Sequence, residues 1–396
     1  MKKIITGGRI VGRDRVLEGY DLVLKRDRIY RICPKRLWNE KEEKVRIYDV
    51  KGAYILPGFL DIHSDMIENY IQPRSTALMD FEMGLSEAEK TLVMCGITSI
   101  FHSVSMYRDG TWDVKEIRQA KHVRKLAELI QKRKKEKSLI RHFYHLRYEI
   151  DNLECYKQVK EMVEEGLVQL LSFMDHSPGQ GQYRNLEIYR KHQPNEGKDL
   201  TDEEFKTLVE QEQSKEKVTF EALKELADLA KKKGISVASH DDDSLEKLEL
   251  NRKLGVSISE FPITLEVAKE AVKQGYQTVL GAPNVLLGGS HSGNLSALEA
   301  IRNGAASILV SDYYPQSLLH TVFALWQRHG VDLPAAVSMV TSAPAKAVGM
   351  ERELGSLEEG KKADLLVVRL DGEQPKLEKV FVDGSCVLKC RDRKMR

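Results

Sequence analysis

Histidine and carboxylate residues recur where apolar, strand-like runs end along the middle of this chain. Asp61-Ile62-His63-Ser64-Asp65 closes one run and Phe173-Met174-Asp175-His176 another; Ser239-His240-Asp241-Asp242, Glu260-Phe261-Pro262 and Ser311-Asp312 close three more. Period-two alternation predicts Asp61, His63 and Asp65 on one face, with Leu60 and Ile62 opposite, against helices. Two ligand-type residues spaced by two can grip one ion from the same side. Across residues 143–150, Phe143, His145, Arg147 and Glu149 alternate with Tyr144, Leu146, Tyr148 and Ile150. The polar set then faces an interior, where unpaired charge is costly. Either Glu149 binds a metal, or Arg147 and Glu149 share an internal salt-bridge network. Any one of these strand ends is also explained as a turn or helix cap; Asp241, Asp242 and Asp312 all suit caps. Five together point to a hydrolytic metal site. Imidazole and carboxylate ligands, with no thiolate nearby, suit Zn, Mn or Fe.

Elements must bring these ends together. Eight strand-like runs lie near 54–64, 97–105, 141–150, 167–176, 235–240, 256–261, 277–282 and 306–312, alternating with helical patterns. Gly166, Gly234, Gly255, Gly275 and Gly304 mark helix stops. Thr201 with Glu204 fits a capping box, and Asp332 precedes Pro334 in a first helical turn. The pattern predicts a (β/α)8 TIM barrel over residues 53–354, with a doubly wound open sheet as the alternative. Residues 177–234 form the longest gap, suited to a lid insertion over the barrel mouth. Residues 1–52 and 355–396 are both rich in short β runs and predict one small β domain built from both termini.

The 396 residues suffice for this plan. Lys and Arg number 62 against 60 Asp and Glu, a net of +2, which gives no general reason to bind nucleic acid. No run approaches the roughly 18 apolar residues of a membrane span. Five scattered cysteines read as reduced thiols in a cytoplasmic protein.

The segment Leu56-Pro57-Gly58-Phe59-Leu60-Asp61-Ile62-His63 resembles the first-strand signature of the amidohydrolase superfamily, as does the stretch from Gly355 to Leu365. His63-Ser64-Asp65, His145-Leu146-Arg147-Tyr148-Glu149, Met174-Asp175-His176-Ser177-Pro178-Gly179-Gln180, Ala238-Ser239-His240-Asp241-Asp242 and Ser311-Asp312-Tyr313-Tyr314-Pro315 are similar to the PhnM branch of the carbon–phosphorus lyase pathway. The resemblance implies a diphosphatase that hydrolyses α-D-ribose 1-methylphosphonate 5-triphosphate to the 5-phosphate and diphosphate. It implies one or two divalent metals, Zn first, held by His63, Asp65, Glu149, His176 and His240, with Asp175 the alternative to His176. The chain departs from the broad superfamily pattern at Asp65, which replaces a histidine, and at Glu260, which stands where strand six usually supplies one. Strand four lacks the carboxylated lysine of many members.

Under this reading Asp312 is the general base. Residues 288–293, rich in glycine, offer backbone amides to phosphate oxygens. Ser290 and His291 in that loop, with Asn284, Arg74 and Arg184, complete the substrate-binding set for a small polyphosphate. Two other readings remain: a cyclic amidase or deaminase on the same scaffold, and a non-catalytic subunit of a phosphonate-degrading assembly. A homodimer is the expected oligomer, with no nucleic-acid or membrane partner.

Overall fold

The computed structural model describes residues 2–35, 45–108, 115–192, 200–290, 293–391 and 393. Seven short strands come first: β1 (Lys2–Thr6), β2 (Arg9–Val11), β3 (Val16–Leu17), β4 (Tyr20–Lys25), β5 (Arg28–Pro34), β6 (Val45–Asp49) and β7 (Tyr54–Pro57). Eight barrel strands follow: β8 (Phe59–Ser64), β9 (Ile97–Met106), β10 (Arg141–Glu149), β11 (Leu170–Met174), β12 (Ser236–His240), β13 (Ile258–Glu260), β14 (Gln277–Gly281) and β15 (Ile308–Val310). The chain ends in β16 (Leu365–Asp371), β17 (Gln374–Val382) and β18 (Ser385–Lys389).

The small domain holds two sheets, β5-β4-β1-β6 and β18-β17-β16-β7-β2-β3, so both termini contribute. Ile5, Leu22, Ile29, Leu365 and Phe381 are buried between them. Antiparallel pairing of β16 with β7 joins the two ends of the chain. The run expected as one strand over 54–64 is in fact two. Gly58 divides it: a Cβ there would lie 2.3 Å from Thr98 Oγ1. The chain passes through this tight point from the terminal sheet into the barrel. Arg141, at the start of β10, pairs with Asp364 and Asp383 and ties the domain to the barrel floor.

The barrel strands run parallel in the order β8 to β15. The seam between β15 and β8 closes differently at its two ends. At the carboxyl end Ser64 and Asp312 form a parallel bridge, and Asp312 N donates to His63 O at 3.0 Å. At the other end Leu309 N bonds Met339 O at 2.9 Å and Leu60 N bonds Val340 O at 3.0 Å. A later segment thus supplies the missing backbone partners there, and the strands are drawn together where the ligand-type residues sit.

Alternation holds on β10: Tyr144, Leu146 and Tyr148 pack outward against helices, while Phe143 belongs to the interior cluster. On β8 it fails. Leu60 and Ile62, expected against helices, pack inside the barrel with Phe101, Leu170, Ile258 and Val310. Register shifts at Phe59/Leu60 and Asp61/Ser64 break the period of two. Asp61 and His63 consequently have different surroundings.

Helix boundaries follow their local signals. Thr201 and Glu204 form a reciprocal capping box on the helix Asp202–Gln213, and Asp332 stands at the N-cap position of Leu333–Ser338, with proline in the first turn and no capping bond from its side chain. Gly255 ends Leu245–Leu254 at φ +86°, a conformation costly for side chains with a Cβ. Among the described residues no helix is long and apolar enough to cross a membrane. All five cysteines are free thiols.

Candidate metal centre and active site

Glu260, the last residue of β13, is fully buried at the centre of the strand ends. Its Oε1 lies 2.8 Å from His63 Nδ1 and 3.8 Å from His145 Nε2. Its Oε2 accepts from Ser172 Oγ at 2.7 Å and lies 3.4 Å from His240 Nδ1. Burial alone would raise the pKa of Glu260, but the His63 and His145 rings beside it outweigh burial and hold it well below the usual carboxylate range. Burial dominates at His145 instead and pushes it down to about 3. His63, His145 and Glu260 therefore form a buried group of three close ligand atoms.

A second group stands above it: His176, His240 and Asp241. His176 Nδ1 is 2.5 Å from Glu149 Oε1, and His176 Nε2 is 3.7 Å from Asp241 Oδ2. Burial disfavours protonated His176, yet Glu149 more than offsets this and raises its pKa. Asp175 faces elsewhere, bonded to Lys217 Nζ at 2.7 Å. Arg147 and Glu149 form no ion pair with each other; Glu149 is taken by His176, and Arg147 by Met174 Sδ and His240 Nε2, both at 3.2 Å.

The strand ends are held in demanding backbone geometry. Asp241, Phe261 and Asp312 each follow a barrel strand and have φ of +52°, +54° and +57°. Before turning, each donates its N–H to the neighbouring strand: Asp241 to Glu260 O, Phe261 to Val279 O, Asp312 to His63 O. The ladder thus runs one or two residues past each strand and then bends sharply, at a cost of order 1–3 kcal/mol per residue. Such strain clusters at functional sites.

These residues fit a divalent cation. Asp241 Oδ2 and Asp61 Oδ2 are buried with no hydrogen-bond partner among the described residues. A buried orphan carboxylate oxygen is expensive unless a cation meets it. The 3.7 Å between His176 Nε2 and Asp241 Oδ2 is too long for a hydrogen bond and close to the separation of two ligands on one ion. Asp61 lies apart from the two groups, accepting from His63 N and Ser311 N at 3.3 Å each, and burial raises its pKa to about 6.

His63 of the first group and all three residues of the second border a cavity of about 310 Å³ at the barrel mouth. His63, Asp65, His176, His240 and Asp312 line it, so four of the expected ligands and the expected base meet there. Glu149 reaches it only through His176. Burial raises the Asp312 pKa to about 6, against the opposing influence of His63. Gln182 and Tyr183, from the inserted segment after β11, also line the cavity. Ser290 and Asn284 line it too, but the Asn284 amide is occupied by Leu295 O and Ala297 N. His291 lies outside the described residues. Arg74 and Arg184 are exposed and do not line the cavity. The cations that do line it are Arg147 and Arg118, the latter fixed by a bidentate pair to buried Glu68 at 2.8 and 2.9 Å.

Residues 194–387 match the family model described as the amidohydrolase family. The α-D-ribose 1-methylphosphonate 5-triphosphate diphosphatase of Escherichia coli K12 is 33% identical over 346 residues, covering 86% of this chain and 89% of that one. This chain belongs to the PhnM branch of the amidohydrolase superfamily. A dihydroorotase of Methanopyrus kandleri is 34% identical over 104 residues, only 22% of this chain and 24% of that one. The N-acetylglucosamine-6-phosphate deacetylase of Pasteurella multocida shares the fold, with a TM-score of 0.63 at 14% identity, covering 98% of this chain and 99% of that one.

In this amidohydrolase, sequence reasoning left His145, Glu260 and Asp241 out of the ligand pool. Signals for all three were present. His145 sits on the inward face of β10, Glu260 ends a strand, and Asp241 adjoins His240. Arg118 gave no signal, because it lies on a short 3-10 turn well beyond β9 in the chain, and only folding returns it to that strand's end, where Tyr107 N donates to Arg118 O.

Proposed function

We propose that this enzyme hydrolyses α-D-ribose 1-methylphosphonate 5-triphosphate to the 5-phosphate and diphosphate at a divalent-metal centre. The observation that carries the reading is a pair of buried His/carboxylate groups, one reaching the cavity through His63 and the other lining it with all three residues, in a chain this similar to the E. coli diphosphatase. His63, His145 and Glu260 would hold one ion, and His176, His240 and Asp241 a second. Imidazole and carboxylate donors suit Zn, Mn or Fe. A bound divalent cation supplies a water of lowered pKa and positive charge for phosphoryl oxygens.

The chain's own groups do the rest. Asp312 lines the cavity and is fixed by its backbone bonds to β8. Its carboxylate accepts the proton of the attacking water. The water oxygen bonds to the α-phosphorus, the bond to the bridging oxygen breaks, and diphosphate leaves. Glu260 accepts from His63 Nδ1, which fixes the ring so that Nε2 is free to ligate. Glu149 orients His176 in the same way.

Phosphorus NMR of the metal-loaded protein tests this. Incubation with the phosphonate 5-triphosphate should give diphosphate resonances, faster than with ordinary nucleoside triphosphates. Unchanged phosphorus spectra, with ring opening of dihydroorotate instead, would move the enzyme to the cyclic-amide chemistry named for its M. kandleri relative.

A further inference from the structure

Two guanidinium groups line the cavity, and they differ in how their charge is met. Arg118 has its counter-ion in Glu68. Arg147 is 9% exposed and forms no ion pair among the described residues. Its contacts are a thioether, Met174 Sδ, and an imidazole nitrogen, His240 Nε2. Nη1 donates to nothing among the described residues. Asp65, Asp241 and Asp312 line the same cavity, but none is within ion-pair distance of it. A buried cation without an ion pair is costly, and an anion entering the cavity would offset that cost. The His240 contact sharpens the point: if that nitrogen ligates a metal, Arg147 loses its one nitrogen acceptor.

We propose that Arg147 anchors a phosphoryl oxyanion on the cavity floor beside His240, an assignment that rests on the phosphoanhydride reading above. The planar fork matches two oxygens of a phosphoryl group at once. It sits near the end of β10, with Met174 of the neighbouring strand against Nε, and its side chain lines the cavity. Lysine would deliver charge there without the bidentate geometry.

Calorimetric binding of inorganic diphosphate to the metal-loaded, full-length protein is the first measurement, with methylphosphonate and acetate alongside. Wild type should bind diphosphate and methylphosphonate more tightly than acetate. Arg147→Gln should weaken diphosphate about 30-fold, and Arg147→Lys should recover about half of that loss on a logarithmic scale. Melting of wild type and Arg147→Met without added anion is the second measurement. Arg147→Met should melt about 2 °C or more above wild type, because a buried charge with no ion-pair partner is gone. A guanidinium that merely held His240 in place would give a lower melting temperature instead. Equal diphosphate affinity in wild type and Arg147→Gln, preference for acetate, or a destabilised Arg147→Met would each overturn the assignment. Diphosphate binding lost with Arg147, in a protein that cleaves no phosphoanhydride, would leave the anion site standing and refute the diphosphatase reading alone.

Discussion

Glu260→Gln is the substitution that most directly tests how the metal centre is built. The carboxylate has 0% exposure and serves four partners: His63, His145, His240 and Ser172. Glutamine keeps the volume but removes the charge, and one of its two ends becomes a donor. That end must face either His63 Nδ1, formerly 2.8 Å from an acceptor, or Ser172 Oγ, formerly 2.7 Å from one. If Glu260 only orients His63, metal affinity should fall about 10–100-fold. If Glu260 is itself a ligand, the loss is larger. The lower bound corresponds to about 1.4 kcal/mol. Competition with a chromophoric chelator gives the affinity, and elemental analysis gives metal per chain. A folded Glu260→Gln protein that holds metal within about threefold of wild type would refute the argument. The centre would then have to be assembled from Asp65 and Glu149 in place of Glu260.

Other outcomes follow from the same geometry. Asp312→Asn should lower turnover by about 10²–10⁴ while leaving bound metal nearly intact, as read by diphosphate release and elemental analysis; normal turnover places the base elsewhere. Arg74→Ala and Arg184→Ala should leave KM for the triphosphate within about twofold, since both side chains are exposed and neither lines the cavity. Exhaustive chelation should abolish turnover and divalent metal should restore it. Cys95 is buried and its thiol is pushed up to about 12, whereas Cys390 is exposed. A thiol-disulfide reagent at pH 8 should label Cys390 promptly and Cys95 only on unfolding.

Much of this fold is legible in the chain because its signals are local. Gly255 terminates a helix whatever surrounds it, and Thr201 with Glu204 caps one from three residues away. The outward face of β10 reads from Tyr144, Leu146 and Tyr148 alone. Two errors show where locality ends. The run 54–64 is continuous in hydrophobicity, so only its partners, β16 on one side of Gly58 and β9 on the other, reveal two strands. On β8 the alternation rule places Leu60 and Ile62 wrongly, because an irregular register against β9 is a property of the pair.

By itself, then, the chain's order of residues determined a parallel barrel with chemistry at its strand ends, and it marked His63, His176, His240 and Asp312 as residues to watch. Residue type and period carry that much, since they depend on neighbours one to four positions away. Tertiary structure alone decided who faces whom. Glu260 meets His63 across 197 residues, Asp175 is drawn off by Lys217, and Arg147 is left without a counter-ion. Electrostatic partnership acts through a few ångströms of space. A closed barrel sets those distances by strand order and stagger, which no local pattern encodes.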